Sequence, residues 1–361
     1  MFGAVFARLA TNAGHRCLVI DRRKHIGGNC YTENREGIDV HLYGPHIFHT
    51  SNETVWQFVN QFARFNSFVN SPKAFVDGKL YSLPFSMNTF HELWGPAVIS
   101  PDDAMQMIEK ERWKGVPTNL EEQALSMVGR SIYEKLIKGY TEKQWGREAV
   151  DLPPSIIKRL PLRFTFDSNY FNDKYQGIPT EGYTCMFEHM LNGIETVLNT
   201  DFLAARSFWR DQSKYIVYTG CIDEFFGYKL GRLNYRTLDF AHRTIDCANY
   251  QGNAVINFPS VKVPFTRRIE HRHFNETKSA VTIVTKETPR ECEPGDTPYY
   301  PIATEDNLSI HRQYQELAKE ERGVIFGGRL AEYKYMDMHV VIESAMNKWR
   351  TWQKANATMV E

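Results

Sequence analysis

Apolar positions along this chain change their period as it proceeds. From Gly3, Val5 and Leu9 recur at helical spacing with alanines between them, and Asn12-Ala13-Gly14 closes the segment. Cys17-Leu18-Val19-Ile20 is then an apolar run of strand length that ends at Asp21. Alternation about Asp77-Gly78 in AFVDGKLYSL predicts a hairpin. From Asn88 to about Val150 the period is helical. NTFHELW, DDAMQMIEKERW, NLEEQALSMV and SIYEKLIKGYTEKQW carry i, i+3, i+4 spacing with acidic first turns, and Asn119 followed by Glu122 reads as a capping box. Pro153-Pro154 ends this block. KYIVYTG, GNAVINF, SAVTIVTK and GVIFGG read as strands, and DMHVVIESAMNKW as the closing helix. There is no internal repeat and no low-complexity linker.

Strands that return after a helical insertion predict an α/β protein, one discontinuous domain carrying two inserted subdomains. Its opening has the form of the back half of a dinucleotide-binding βαβ unit, a helix, a turn, a strand and a terminal acid. Gly3 precedes Asp21 by 18 positions, close to the ~20 that separate fingerprint glycines from a ribose-binding acid. Gly27-Gly28 directly after the strand would let backbone approach a flat or phosphorylated ligand, an ordinary tight turn being the alternative. Near the C-terminus, GVIFGG runs through an aromatic and charged turn to a helix start at Asp337. Such a terminus stabilises negative charge on a cofactor; the other reading is a surface loop.

Basic and acidic residues balance at 43 each, so no global field favours nucleic acid or an anionic membrane. Any bound anion needs a local cluster. The six cysteines lack metal or disulfide spacing and suit a reducing compartment. No apolar run reaches the ~18–20 residues of a membrane span, and no signal peptide is evident, which places the protein in the cytoplasm. At 13%, aromatic residues leave room for a site that stacks flat rings.

Several constellations carry chemistry. His46 and His49 stand three apart without a further ligand at metal spacing, which leaves a structural pair or a pair lining a cofactor ring. Tyr140 and Trp145 bracket a polar stretch, so they are either core residues or a base-stacking platform. Arg159 and Arg163, and Arg267, Arg268 and Arg272, sit inside apolar, aromatic segments. A guanidinium so placed meets a carboxylate or a phosphate. With Tyr170, Tyr299, Tyr300, Tyr333 and Tyr335 the inventory suits a buried diphosphate, structural ion pairs being the alternative. Neither a nucleophile elbow nor a phosphate loop of the Walker type is present, so an enzyme here relies on a cofactor.

Together HIGGNCYTE, YGPHIFHT, NSP, LPFSMNTFHELWG, LIKGYTEKQWG, IIKRLPLRFTFDSNYF, YQGIPTEGYT, YTGCIDEFF, QGNAVINF, RIEHRHF, PYYP and VIFGGRLAEYKYMDMH resemble the prokaryotic UDP-galactopyranose mutases, which depend on FAD. They span residues 25 to 339, and GYTEKQWG and GGRLAEYKYMDMH are the most specific. The resemblance implies a Rossmann-like FAD-binding domain of residues 1–66, 181–228 and 303–361. It further implies a helical subdomain at 86–152 and an antiparallel sheet subdomain at 67–85, 153–180 and 229–302. The implied reaction interconverts UDP-galactopyranose and UDP-galactofuranose without net redox change, through a covalent adduct of reduced flavin N5 with the anomeric carbon, and supplies galactofuranose for cell-surface glycans. By the same resemblance Arg159, Arg267, His49 and Tyr335 are catalytic, with His49 near the isoalloxazine. Asn70, Tyr140, Thr141, Trp145, Tyr170, Asn257 and Tyr300 bind substrate. Gly3, Asp21, Arg22, Gly27, Gly28, Asn29, His46, Arg329, Asp337 and Met338 bind FAD. Expected partners are UDP-galactose, a second copy of the chain as a homodimer and a reductant such as NAD(P)H, with no metal, nucleic acid or membrane.

Two departures qualify the resemblance. The family pattern places a strand and two more glycines ahead of Gly3, so the expectation is weakened retention of FAD. Cys221 stands where proline is expected. Two alternatives follow, a non-catalytic fragment with residual UDP-sugar binding and an FAD-dependent oxidoreductase. The diphosphate-type arginines and the lack of an acid–base dyad weigh against the latter.

Overall fold

The computed structural model describes residues 1–158 and 160–357. Its first helix, Phe2–Asn12, buries Phe2, Ala4, Val5, Phe6, Ala7 and Ala10. The small residues let it lie close between the helices Gly182–Leu191 and Met338–Ala357. The approach is tight at its start, where a Cβ on Gly327 would stand 2.1 Å from the Phe2 ring. Two parallel strand pairs flank this core, Leu18–Ile20 with Glu195–Val197 and Ile216–Tyr218 with Val324–Phe326. They form two separate two-stranded sheets. The α/β, Rossmann-like class expected from the sequence holds, with its parallel strands divided between these pairs.

A seven-stranded sheet forms a second layer, in the order Tyr300–Pro301, Tyr235–Ile245, Thr282–Glu291, Arg267–Glu270, Val255–Asn257, Lys73–Val76, Lys79–Ser82. It is antiparallel except where Val255–Asn257 meets Lys73–Val76, a pair joined across the chain rather than by a hairpin. The Asp77-Gly78 turn has φ of 50° and 75°, positive at both central residues as a type I′ hairpin requires.

The helical block follows the sequence pattern: Met87–Trp94, Pro101–Glu111, Leu120–Ile132, a π-helical turn at Tyr133–Lys138, then Gly139–Trp145. Its apolar faces close on Leu120, Ala124, Val128, Ile132 and Tyr133. Asn119 caps as expected, its Oδ1 accepting from Glu122 N–H at 2.9 Å. Glu122 turns instead to the Thr118 N–H and hydroxyl, both at 2.8 Å, so the reciprocal half of the box falls one residue earlier.

Glu270 ties the sheet to its neighbouring turn and supplies a test. It is fully buried, and its carboxylate accepts from Tyr250 N–H and Gln251 N–H at 2.8 Å each. Burial pushes its pKa up, but His273 and the two amides outweigh that and hold it at about 2. A folded pKa below the unfolded value of ~4.3 contributes stability above that value and loses it as pH falls towards 2. Glu270→Gln is therefore expected to cost about 2–3 kcal/mol in urea melts at pH 7, with the difference from wild type shrinking below pH 4.

Candidate functional site

The strand Leu18–Ile20 delivers Asp21 to a turn, where its N–H donates to Val197 O at 3.0 Å and its Oδ1 accepts from Arg23 N–H at 2.9 Å. Gly27 and Gly28 follow with φ of 84° and 57°. At Gly27 glycine also serves packing, because a Cβ would stand 2.9 Å from Phe187. Arg23 donates to Asn29 Oδ1 at 2.7 Å. Cys30 contacts Met338 Sδ at 3.7 Å, which brings this turn to the start of the helix Met338–Ala357 beside Asp337. Arg329 donates to Met336 O at 2.5 Å and lies over the rings of Tyr335 at 4.7 Å and Tyr300 at 5.9 Å. Burial, reinforced by Arg329, pushes His46 down to about 4, so its ring is neutral at pH 7. Gly3 sits in the first helix against Thr219. Arg22 faces Glu224 at 4.0 Å.

A carboxylate at a strand end accepts from ribose hydroxyls, and Arg23, Arg329 and a helix terminus favour a diphosphate. The residues present fit such a group.

Arg267 begins the strand Arg267–Glu270 and stands opposite Glu287 in register. Its Nε and Nη2 donate to Glu287 Oε1 at 2.9 and 2.7 Å. Glu287 is fully buried, and its Oε2 lacks a partner among the described residues. Burial alone would lower the Arg267 pKa, but Glu287, with Tyr140 and Tyr300, holds it well above its ordinary value. Tyr300 stacks on Tyr335 at 5.8 Å and tilts towards Trp145 at 6.3 Å. Asn257 faces Arg267 from the other flanking strand, with a buried Oδ1 unpartnered among the described residues. The site thus gathers Arg267, Tyr140, Trp145, Tyr300, Tyr335, Arg329 and Asn257.

Two cations fix the helix Gly139–Trp145, which carries Tyr140, buried Thr141 and Trp145. Lys143 Nζ stands within hydrogen-bond distance of four carbonyls of one loop, those of Phe258 at 2.5 Å, Ser260 and Val263 at 2.9 Å and Phe265 at 3.0 Å, its three N–H groups shared among them. Burial pushes it down to about 8, so it still carries its charge at neutral pH. From the other side Arg236, 3% exposed, donates to Gln144 O at 3.0 Å and Lys143 O at 3.3 Å and pairs with Glu291. These are the helix's terminal carbonyls, which a cation satisfies.

Tyr170 and Asn70 lie together, Tyr170 N–H donating to Asn70 O at 2.7 Å. His49 is nearly buried and hydrogen-bonded to Asp173. Arg159 lies outside the described residues. Its sequence neighbour Arg163 is no phosphate arginine: it holds the loop bearing Tyr170 through Phe171 O at 2.9 Å and Asn169 O. Arg268 turns to Gln251 and Arg272 to Ser279 O and Val281 O. Tyr333 is likewise structural, its hydroxyl donating to Asn234 O at 2.6 Å. Sequence reasoning missed Glu287, Lys143, Arg236 and Asp173, each defined by a long-range contact. Among the described residues no group of three or more His, Cys, Asp and Glu could hold a metal ion. None of their helices is long and apolar enough to cross a membrane.

The model of NAD(P)-binding Rossmann-like domains matches residues 1–62, in keeping with the class of an α/β protein with a Rossmann-like domain. The UDP-galactopyranose mutase model matches residues 135–335. The chain is 43% identical to a probable UDP-galactopyranose mutase of Klebsiella pneumoniae, over 95% of this chain and 90% of that one. It is 42% identical to a dTDP-fucopyranose mutase of Escherichia coli, over 98% and 96%. A crystal structure of reduced UDP-galactopyranose mutase shares the fold with a TM-score of 0.73 at 13% identity, covering 100% of this chain and 93% of that one. The chain belongs to the UDP-galactopyranose mutase family, whose members are isomerases.

Proposed function

We propose that this protein interconverts UDP-galactopyranose and UDP-galactofuranose with FAD in its reduced form. The observation that carries this reading is Arg267. It is a guanidinium balanced by a buried carboxylate on one edge, with Tyr140 and Tyr300 beside it. Arg267 binds the diphosphate and stabilises the charge that collects on it as the sugar leaves. Tyr300 and Tyr335 orient the same group, while Tyr140 and Trp145 form the wall for the uridine and Asn70 and Tyr170 close the sugar end. Arg159 is assigned a second diphosphate contact. Asp21, Gly28, Asn29, His46, Arg329 and Met338 hold the cofactor. Bound and reduced, the flavin supplies through N5 the nucleophile for the anomeric carbon. Function as a homodimer in the cytoplasm, reduction by NAD(P)H and supply of galactofuranose to surface glycans complete the proposal.

The test is chromatographic conversion of UDP-galactofuranose to UDP-galactopyranose by FAD-loaded, dithionite-reduced protein, beside an oxidised control. Conversion only when reduced is the expected result. A folded, colourless preparation that FAD cannot reconstitute would leave a UDP-sugar-binding fragment instead. The 42% identity to the dTDP-fucopyranose mutase supports one second reading, a dTDP-6-deoxy sugar as substrate. Comparing kcat/KM for the two sugar nucleotides decides between them.

A further inference from the structure

The antiparallel pairing of Phe48–Thr50 with Tyr175–Gly177 brings His49 opposite Gln176 and sets Asp173 beside Ser51. His49 Nδ1 lies 2.6 Å from Asp173 Oδ2. The second carboxylate oxygen accepts from the Ser51 hydroxyl at 2.9 Å. Ser51 Oγ in turn accepts from Lys174 N–H at 3.1 Å, which orients the hydroxyl. The imidazole cannot swing away. Phe171 stacks flat against it, with centroids 3.7 Å apart and planes 11° apart, and His339 stands edge-on at 4.8 Å. His339 belongs to the first turn of the helix Met338–Ala357, so His49 abuts the helix start assigned above to the cofactor.

An ionised carboxylate only accepts hydrogen bonds. The Asp173 contact therefore demands a proton on His49 Nδ1 in either charge state of the ring. In the neutral ring it leaves the lone pair on Nε2, at the opposite edge. Asp173 is suited to this role. Burial alone would raise its pKa, but His49 and Ser51 hold it below the ordinary carboxylate value, so it is ionised at neutral pH. We propose that Asp173 is a positioning residue that locks His49 in the Nδ1–H tautomer, with Nε2 as a hydrogen-bond acceptor at the cofactor end of the site. The placement at the cofactor rests on the proposed mutase reading; the tautomer does not.

The test separates the two. In protein labelled with ¹⁵N-histidine, long-range ¹H–¹⁵N correlation reads the tautomer without turnover, His49→Gln giving the assignment. Wild type is expected to show His49 protonated at Nδ1. Asp173→Asn, whose amide can donate to Nδ1, is expected to move the proton to Nε2. It should lower kcat of the reduced, FAD-loaded enzyme by at least tenfold with KM within threefold. Asp173→Glu should restore the tautomer and most of kcat. A wild-type ring protonated at Nε2 would overturn the proposal even if every variant failed to fold. An Asn variant with the tautomer flipped and kcat intact would also overturn it. Absence of mutase activity in wild type, with the Nδ1–H tautomer observed, would refute the mutase reading and leave the lock standing.

Discussion

Replacing Arg267 by alanine is expected to lower stability by about 3–5 kcal/mol and turnover by roughly 10²–10³. The loss of stability traces to Glu287, and the loss of turnover to the missing guanidinium. That carboxylate has no exposed surface, and it pairs with this guanidinium. Removing the partner strands a buried charge, whereas removing both costs far less. Arg267→Met combined with Glu287→Gln should accordingly regain much of the urea midpoint while staying inactive. Arg267→Lys keeps the charge without the fork, and is expected to lose more turnover than stability. Urea melts beside the furanose-to-pyranose assay check each point. A double variant as unstable as the single one would show that the pair is not the source of the loss.

Lys143→Met is expected to cost about 2–4 kcal/mol and to raise KM for the sugar nucleotide about tenfold, with kcat within a few-fold, the change of KM being roughly 1.4 kcal/mol. The methionine has similar length but leaves four carbonyls of the 258–265 loop without their donor. The loop then loses the cation that holds it to the helix that presents Tyr140 and Trp145. Because Arg236 still grips the helix from its other side, the helix should persist and the defect should fall on binding. Circular dichroism, urea melts and steady-state kinetics on one preparation measure the three parts. An unchanged KM alongside a large loss of stability would make Lys143 a purely structural residue.

What could be read in the sequence was local. The Asp77-Gly78 hairpin, the Asn119 cap and the helical block were legible because a few neighbouring residues determine each of them. Arg267 was legible as one of several candidate arginines, since an arginine in apolar surroundings needs a partner. Which arginine, and which partner, was not. Arg163 and Arg267 look alike in sequence, but one ends on loop carbonyls and the other on a buried glutamate 20 residues away. Glu287 itself reads as one more polar residue in KETPRE. Only the strand register reveals that it is buried. Asp173 meets His49 across 124 residues, and Lys143 meets its carbonyls across 115 to 122. No local period carries that information.

The register that joins Arg267 to Glu287 also bears on how the sheet can be aligned. A strand can slip by two residues and keep its faces, so pattern alone does not forbid that error. In either such slip Glu287 would come to lie opposite Phe265 or Ile269, an anion sealed against hydrocarbon. Only the native alignment supplies a cation. The Arg267–Glu287 pair thereby adds an energetic penalty to either slip and favours the native alignment.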